Sequence, residues 1–182
     1  MVDLDHDVIA TWMRKELSGC KDYTSYFDKD FNSRMTRNMP LCGELLNAIE
    51  AASATYAKTR YMDLKWFDGS RPDIWFSEYI EGERHTLHNH PRALIAGTYY
   101  PYADDDSCPI AFRHPAHGMM EIAEPWMCET APKDAVHTIY KLRPKTGMLN
   151  LWPSWMMHEV GPQGPVPKER SRLAISFNYG RG

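Results

Sequence analysis

The chain has 182 residues, 43% of them hydrophobic and 25% charged, with a formal net charge of -3. That is enough chain for one well-buried core and too little for two full domains. The charge balance argues against a nucleic-acid surface built on bulk positive charge, and no run approaches the roughly 18 apolar residues of a membrane span.

Six tryptophans and ten tyrosines favour a core or pocket with aromatic walls that retain polar handles. Cys20, Cys42, Cys108 and Cys128 form no paired-cysteine motif and read as free thiols of a reducing compartment. The acidic start, Asp3-Leu4-Asp5, has no long apolar run behind it and does not read as a signal peptide. A cytoplasmic location is the expectation.

In chain order, Ile9, Trp12, Met13 and Leu17 recur near a 3.6-residue period after Asp5 and Asp7, and Gly19 supplies a stop. This predicts a helix over Val8–Leu17. Residues 20–40 carry charges and aromatics without a period and are expected to be irregular. From Pro40, the stripe Leu41, Leu45, Ala48, Ile49, Ala52 and Tyr56 predicts a second helix bracing a sheet.

From Tyr61 the period changes to two, with Met62, Leu64 and Trp66 alternating against Asp63 and Lys65 before an Asp68-Gly69 turn. Further strands are expected at Trp75–Ile80, Leu94–Tyr100, Ile110–Arg113, Val136–Leu142, Met148–Trp152 and Leu173–Tyr179. Residues 114–135, punctuated by Pro115, Gly118, Pro125 and Pro132, form a connection beyond the usual 12 to 15 or so residues and are the lid candidate. No repeat or linker is visible. The expected organisation is one domain over 1–182, with a helical support region at 1–60 and a sheet core at 61–179.

His88 and His90 lie two apart in Leu87-His88-Asn89-His90-Pro91. In extended backbone such residues point to one side, and imidazole is a good ligand for iron, zinc, nickel or copper. The pair alone is weak evidence, and surface or supporting histidines are the commoner explanation. His158, after Trp152-Pro153-Ser154-Trp155-Met156-Met157, can meet the pair across a closed sheet. Arg172 opens an apolar strand, and a cation entering a core needs an anionic partner, either a ligand or one of the chain's own carboxylates. Parity puts Arg172, Ala174, Ser176 and Asn178 on one face of that strand.

These blocks carry a resemblance. The run from Trp75 through Gly82, His88-Asn89-His90-Pro91, Gly97-Thr98-Tyr99-Tyr100, Trp152 to Val160, and Arg172 to Asn178 is similar to one group of iron(II)/2-oxoglutarate-dependent oxygenases. The resemblance covers roughly residues 75 to 179. It implies a mainly β chain with N-terminal helices, folded as a double-stranded β-helix, a cupin-like jelly-roll. It implies Fe(II), 2-oxoglutarate and O2 as cofactor and co-substrates, with His88 as first metal ligand and His158 as the distal one. Arg172 then holds the far carboxylate of 2-oxoglutarate, helped by Tyr100, with Tyr99 facing the other way and Ser176 or Asn178 lining the pocket.

At the middle ligand the general pattern has Asp or Glu, and this chain has His90. Some members of the group carry a histidine pair here. Three neutral imidazoles leave the site one negative charge short of the two-histidine, one-carboxylate triad. Asp104, Asp105, Asp106 or Glu159 are candidates to restore a carboxylate, although Glu159 adjoins a ligand and would point away. His114, His117, Arg113 and Trp126 are the expected substrate or lid contacts. Trp75, Trp152 and Trp155 are further candidate walls.

The reading is an Fe(II)- and 2-oxoglutarate-dependent dioxygenase that hydroxylates a small polar or amino-acid-like substrate and releases succinate and CO2. Basic residues around the lid, Arg92, Arg113 and Lys133, suit an acidic or zwitterionic molecule. One rival is a three-histidine cupin-like metalloenzyme that does not use 2-oxoglutarate. Another is a non-catalytic module that binds a small acid. Exposed edges and long loops allow a homodimer.

Overall fold

A computed structural model describes residues 1–20, 22–63, 65, 71–123 and 138–180. Four helices are present among them: α1 (His6–Leu17), α2 (Lys29–Asn38), α3 (Cys42–Thr59) and α4 (His117–Ala123). Eight strands follow the first three helices: β1 (Asp73–Tyr79), β2 (His85–His88), β3 (Ile95–Tyr102), β4 (Ile110–Arg113), β5 (Ile139–Leu142), β6 (Leu149–Pro153), β7 (His158–Val160) and β8 (Arg172–Tyr179). They build two antiparallel four-stranded sheets, ordered β1-β8-β3-β6 and β2-β7-β4-β5.

This corrects the expected fold class. Helices contribute about as many described residues as strands, so the chain is mixed α/β rather than mainly β. Neither sheet closes into a barrel, and the double-stranded β-helix, or jelly-roll, is not what the sheets form. β5 and β6 end their respective sheets without hydrogen-bonding to each other, and residues of both line one cavity of about 500 Å³. That cavity stands where a continuous ladder would have to run.

Local chemistry explains the helices. Asp5 caps α1 by accepting a hydrogen bond from Val8 N at 3.2 Å, and Ile9, Met13 and Leu17 are buried at four-residue spacing. In α3 the buried positions Leu45, Ile49, Ser53 and Ala57 keep the same spacing. α2 overturns the irregular reading of residues 20–40. Asp28 caps it through Phe31 N at 2.9 Å, and Met35 is its buried anchor, but too few apolar residues accompany Met35 to mark a stripe. α4 likewise puts a helix inside the expected irregular lid. Of the alternation expected from Tyr61, Met62 and Asp63 are not in a strand, and Leu64, Trp66, Asp68 and Gly69 lie outside the described residues.

Two apolar clusters hold the layers together. Ile9, Met13 and Leu17 of α1, Met35 of α2 and Leu45 and Ile49 of α3 pack on Phe76, Tyr99, Ile175 and Phe177, on one face of the first sheet. On its other face Tyr79, Ala96, Tyr100, Trp152 and Ala174 pack with Ile110 and Val160 of the second sheet. Strands β1, β3 and β8 are therefore buried on both faces, as their nearly unbroken burial shows. The segment at 23–25 lies along the outer edge of β1, where Thr24 bridges Ser77 and Ser25 N donates to Phe76 O at 2.9 Å. No helix among the described residues is long and apolar enough to cross a membrane.

Candidate metal centre

His88, His90 and His158 meet between the sheets, with one ligating nitrogen from each lying within 4.8 Å of the other two. His88 and His158 are paired residues of β2 and β7, so register alone sets them side by side. His90 lies just past β2. Its backbone N–H donates to Ser154 O at 2.9 Å, and Ser154 Oγ donates to Ala93 O at 2.5 Å. The short turn is thus pinned under β6.

Hydrogen bonds fix two of the tautomers. His88 Nδ1 lies 2.7 Å from Thr86 O, and His158 Nδ1 lies 2.9 Å from Met156 O. A carbonyl only accepts, so each Nδ1 carries the proton and each Nε2 presents a lone pair. His158 Nε2 faces His90 Nε2 at 3.2 Å. Two nitrogens held at right angles around one ion, each about 2.1 Å away, would be about 3 Å apart. The donor set and spacing therefore fit a transition-metal ion.

Burial keeps the cluster neutral. His158 is pushed down to about 3, mainly by desolvation and then by its histidine neighbours. His90 falls to about 4 for the same reasons, partly offset by the side chain of Asn178. His88 is also lowered by burial. Neutral imidazoles bind a metal without first losing a proton. Trp75 stacks on His90 at 5.7 Å, and Trp152 meets His158 edge-on at 4.9 Å.

Arg172 shares a narrow cavity with the three histidines. Its guanidinium is sandwiched between Tyr79 and Tyr100, 4.5 and 5.1 Å from the ring centres. Nη1 donates to Cys108 O at 3.1 Å, and Nη2 reaches Tyr100 Oη at 3.5 Å. Gln163, itself buried, holds the Cys108 segment in place by accepting from Cys108 N at 2.9 Å and donating to Asp106 O at 3.0 Å. Arg172 is only 2% exposed, yet among the described residues no carboxylate pairs with it, and its Nε has no partner. A buried cation left this way is costly unless an anion joins it.

The other expected positions divide. Tyr100 lies at Arg172, while Tyr99 faces away and bonds His6 at 2.7 Å. Ser176 lines the inner cavity and pairs with Thr98 at 3.0 Å. Asn178 lies beside His90 rather than Arg172, and its buried Oδ1 makes no hydrogen bond of good geometry. Arg113 and His114 line the separate cavity beyond Trp152, and His117 opens α4. Trp126 and Lys133 lie outside the described residues. Among the described residues no carboxylate joins the histidine cluster. Asp104 and Asp106 pair with Arg170 at 2.8 Å instead.

A family model described as "Putative 2OG-Fe(II) oxygenase" matches residues 73–178. The chain belongs to this family. No curated protein matches it. Among solved structures, a Pseudomonas putida prolyl-4-hydroxylase aligns at 14% identity and a TM-score of 0.53, over 95% of this chain and 94% of that one. HygX from Streptomyces hygroscopicus, solved with iron bound, aligns at 12% identity and 0.53, over 99% and 79%. The same protein with nickel and 2-oxoglutarate bound gives 12% and 0.52, over 94% and 76%. At these identities the likeness speaks for the fold alone. Family membership and the histidine cluster together identify an oxygenase-like metalloenzyme.

Sequence reasoning missed His85, Tyr79 and Cys108 at this site. His85 and His88 are three apart, which in a regular strand would put them on opposite faces. They pair with Val160 and His158, two apart, so β2 carries one extra residue. The bulge returns His85 to the His88 side, with ring centres 4.2 Å apart. Burial holds His85 near a pKa of about 4.

Proposed function

We propose that this chain is an iron-dependent oxygenase whose metal is held by His88, His90 and His158. The observation that carries this reading is the 3.2 Å approach of His90 Nε2 to His158 Nε2, because the fixed tautomer of His158 turns a lone pair toward His90 at the spacing of two ligands of one ion. Bound iron would supply the activation of O2. Thr86 and Met156 carbonyls aim the imidazoles, and Trp75 and Trp152 wall them from water.

By themselves, the all-imidazole donor set and the inner cavity of about 30 Å³ favour the form of this reading that does not use 2-oxoglutarate. One observation favours a second form. Arg172, buried beside the cluster with no carboxylate paired to it among the described residues, suits the far carboxylate of 2-oxoglutarate, with Tyr100 as its hydroxyl neighbour. In that form a small polar or amino-acid-like substrate is hydroxylated, and succinate and CO2 leave.

Anaerobic titration of the metal-free protein with Fe(II), then with 2-oxoglutarate, tests both. One iron per chain is expected, and its loss in His158→Ala is required by the ligand assignment. A visible charge-transfer band that needs both additions selects the second form. Iron binding with no response to 2-oxoglutarate selects the first.

A further inference from the structure

The inner cavity holds a fourth histidine that the three-nitrogen cluster does not include. His85 lines this cavity together with Arg172, and with His88 and His90 it also lines a second cleft of about 620 Å³. Its Nδ1 is 2.7 Å from the Tyr23 hydroxyl. Tyr23 precedes the family-matched residues 73–178. Its carbonyl accepts from Glu78 N at 2.8 Å, and its ring lies 5.3 Å from Tyr79, the residue on which Arg172 stacks. Tyr23, His85, Tyr79 and Arg172 thus form one packed unit.

With a phenol O–H donating to Nδ1, the imidazole proton sits on Nε2, and that nitrogen is a donor. An arginine whose Nη1 is engaged by a backbone carbonyl leaves part of a carboxylate's lone pairs for other donors. We propose that Tyr23 and His85 form a donor pair that positions a carboxylate anion between the three histidines and Arg172. His85 contacts the anion, and Tyr23 is a positioning residue that acts by fixing the His85 tautomer. This rests on the second form of the proposed function, in which Arg172 binds an anionic co-substrate.

Calorimetric titration of 2-oxoglutarate into the Fe(II)-loaded full chain, without oxygen, reads affinity apart from turnover. His85→Leu is expected to weaken binding about tenfold or more while keeping one iron per chain. His85→Gln, which retains an N–H donor, should recover most of that loss. Tyr23→Phe should weaken binding about three- to tenfold, because the tautomer is no longer held. Wild-type affinity in iron-loaded His85→Leu overturns the proposal and leaves the Arg172 assignment standing. Loss of iron from that variant also overturns it, since His85 would then be a metal ligand. Should His85→Leu not fold, unchanged affinity in Tyr23→Phe overturns it instead. No 2-oxoglutarate binding by the wild type removes the Arg172 reading, and the pair's role with it.

Discussion

His88 and His158 face one another across the β2–β7 ladder, with ring centres 4.2 Å apart and each Nδ1 tied to a carbonyl of its own chain segment. Their convergence is therefore a property of strand register rather than of loop placement. Replacing either by alanine removes one of three donors from a site that, among the described residues, has no carboxylate in the cluster. Iron content measured by mass spectrometry should fall from one per chain to near zero in both variants. His90→Asp should retain iron, since a carboxylate is an acceptable donor at that position. Full stoichiometry in both alanine variants would contradict the ligand assignment.

Arg172→Met tests the anion. The substitution keeps much of the side chain's bulk between Tyr79 and Tyr100 but removes the charge. If 2-oxoglutarate binds there, its affinity should drop about a hundredfold, as expected for loss of a charge-assisted fork, while iron affinity stays near wild type. Equilibrium binding of each ligand measures the two effects separately.

The depressed histidines tie stability to pH. In the unfolded chain each titrates near its ordinary value of about 6.5. In the folded, metal-free protein His90 and His85 titrate at about 4 and His158 at about 3. Between those limits the unfolded chain binds protons that the native state does not, so stability falls as pH falls from about 6.5 toward 4. Denaturation midpoints of the metal-free protein should drop across that window and level off above it. A flat profile would contradict the buried, neutral assignment.

Gly97 leaves no space for a side chain. A Cβ there would lie 2.3 Å from Phe177 Cζ and 2.7 Å from Asn150 O. Phe177 is fully buried between β8 and the helices, and the Asn150 carbonyl belongs to the β6 backbone. Gly97→Ala should cost about 3 kcal/mol in denaturant unfolding, by the overpacking that a filled core resists.

The parts of the site set by short-range parity were readable in the chain. Arg172, Ala174 and Ser176 line one cavity, as alternation along β8 requires, and Tyr99 and Tyr100 separate to opposite faces. Features that depend on an irregularity were not. His85 is brought into place by a bulge, which shifts parity without leaving a pattern in the residues. α2 has a good cap in Asp28 but is mostly polar, so periodicity was silent where capping would have spoken. Sheet closure was out of reach for a different reason. Strand order and the absence of β5–β6 hydrogen bonds are long-range outcomes, and alternation in a single strand carries no information about which strands become edges.

The segment at 23–25 has one more consequence. Strands at the rim of a sheet expose a row of unpaired backbone groups that can recruit a second chain. Here Tyr23 O, Ser25 N and the Thr24 bridge occupy that row along β1. A fragment begun at Asp73 would keep all three histidines and Arg172, yet bare this rim to its neighbours. Its early failure would be clumping in solution, before any loss of chemistry could be measured.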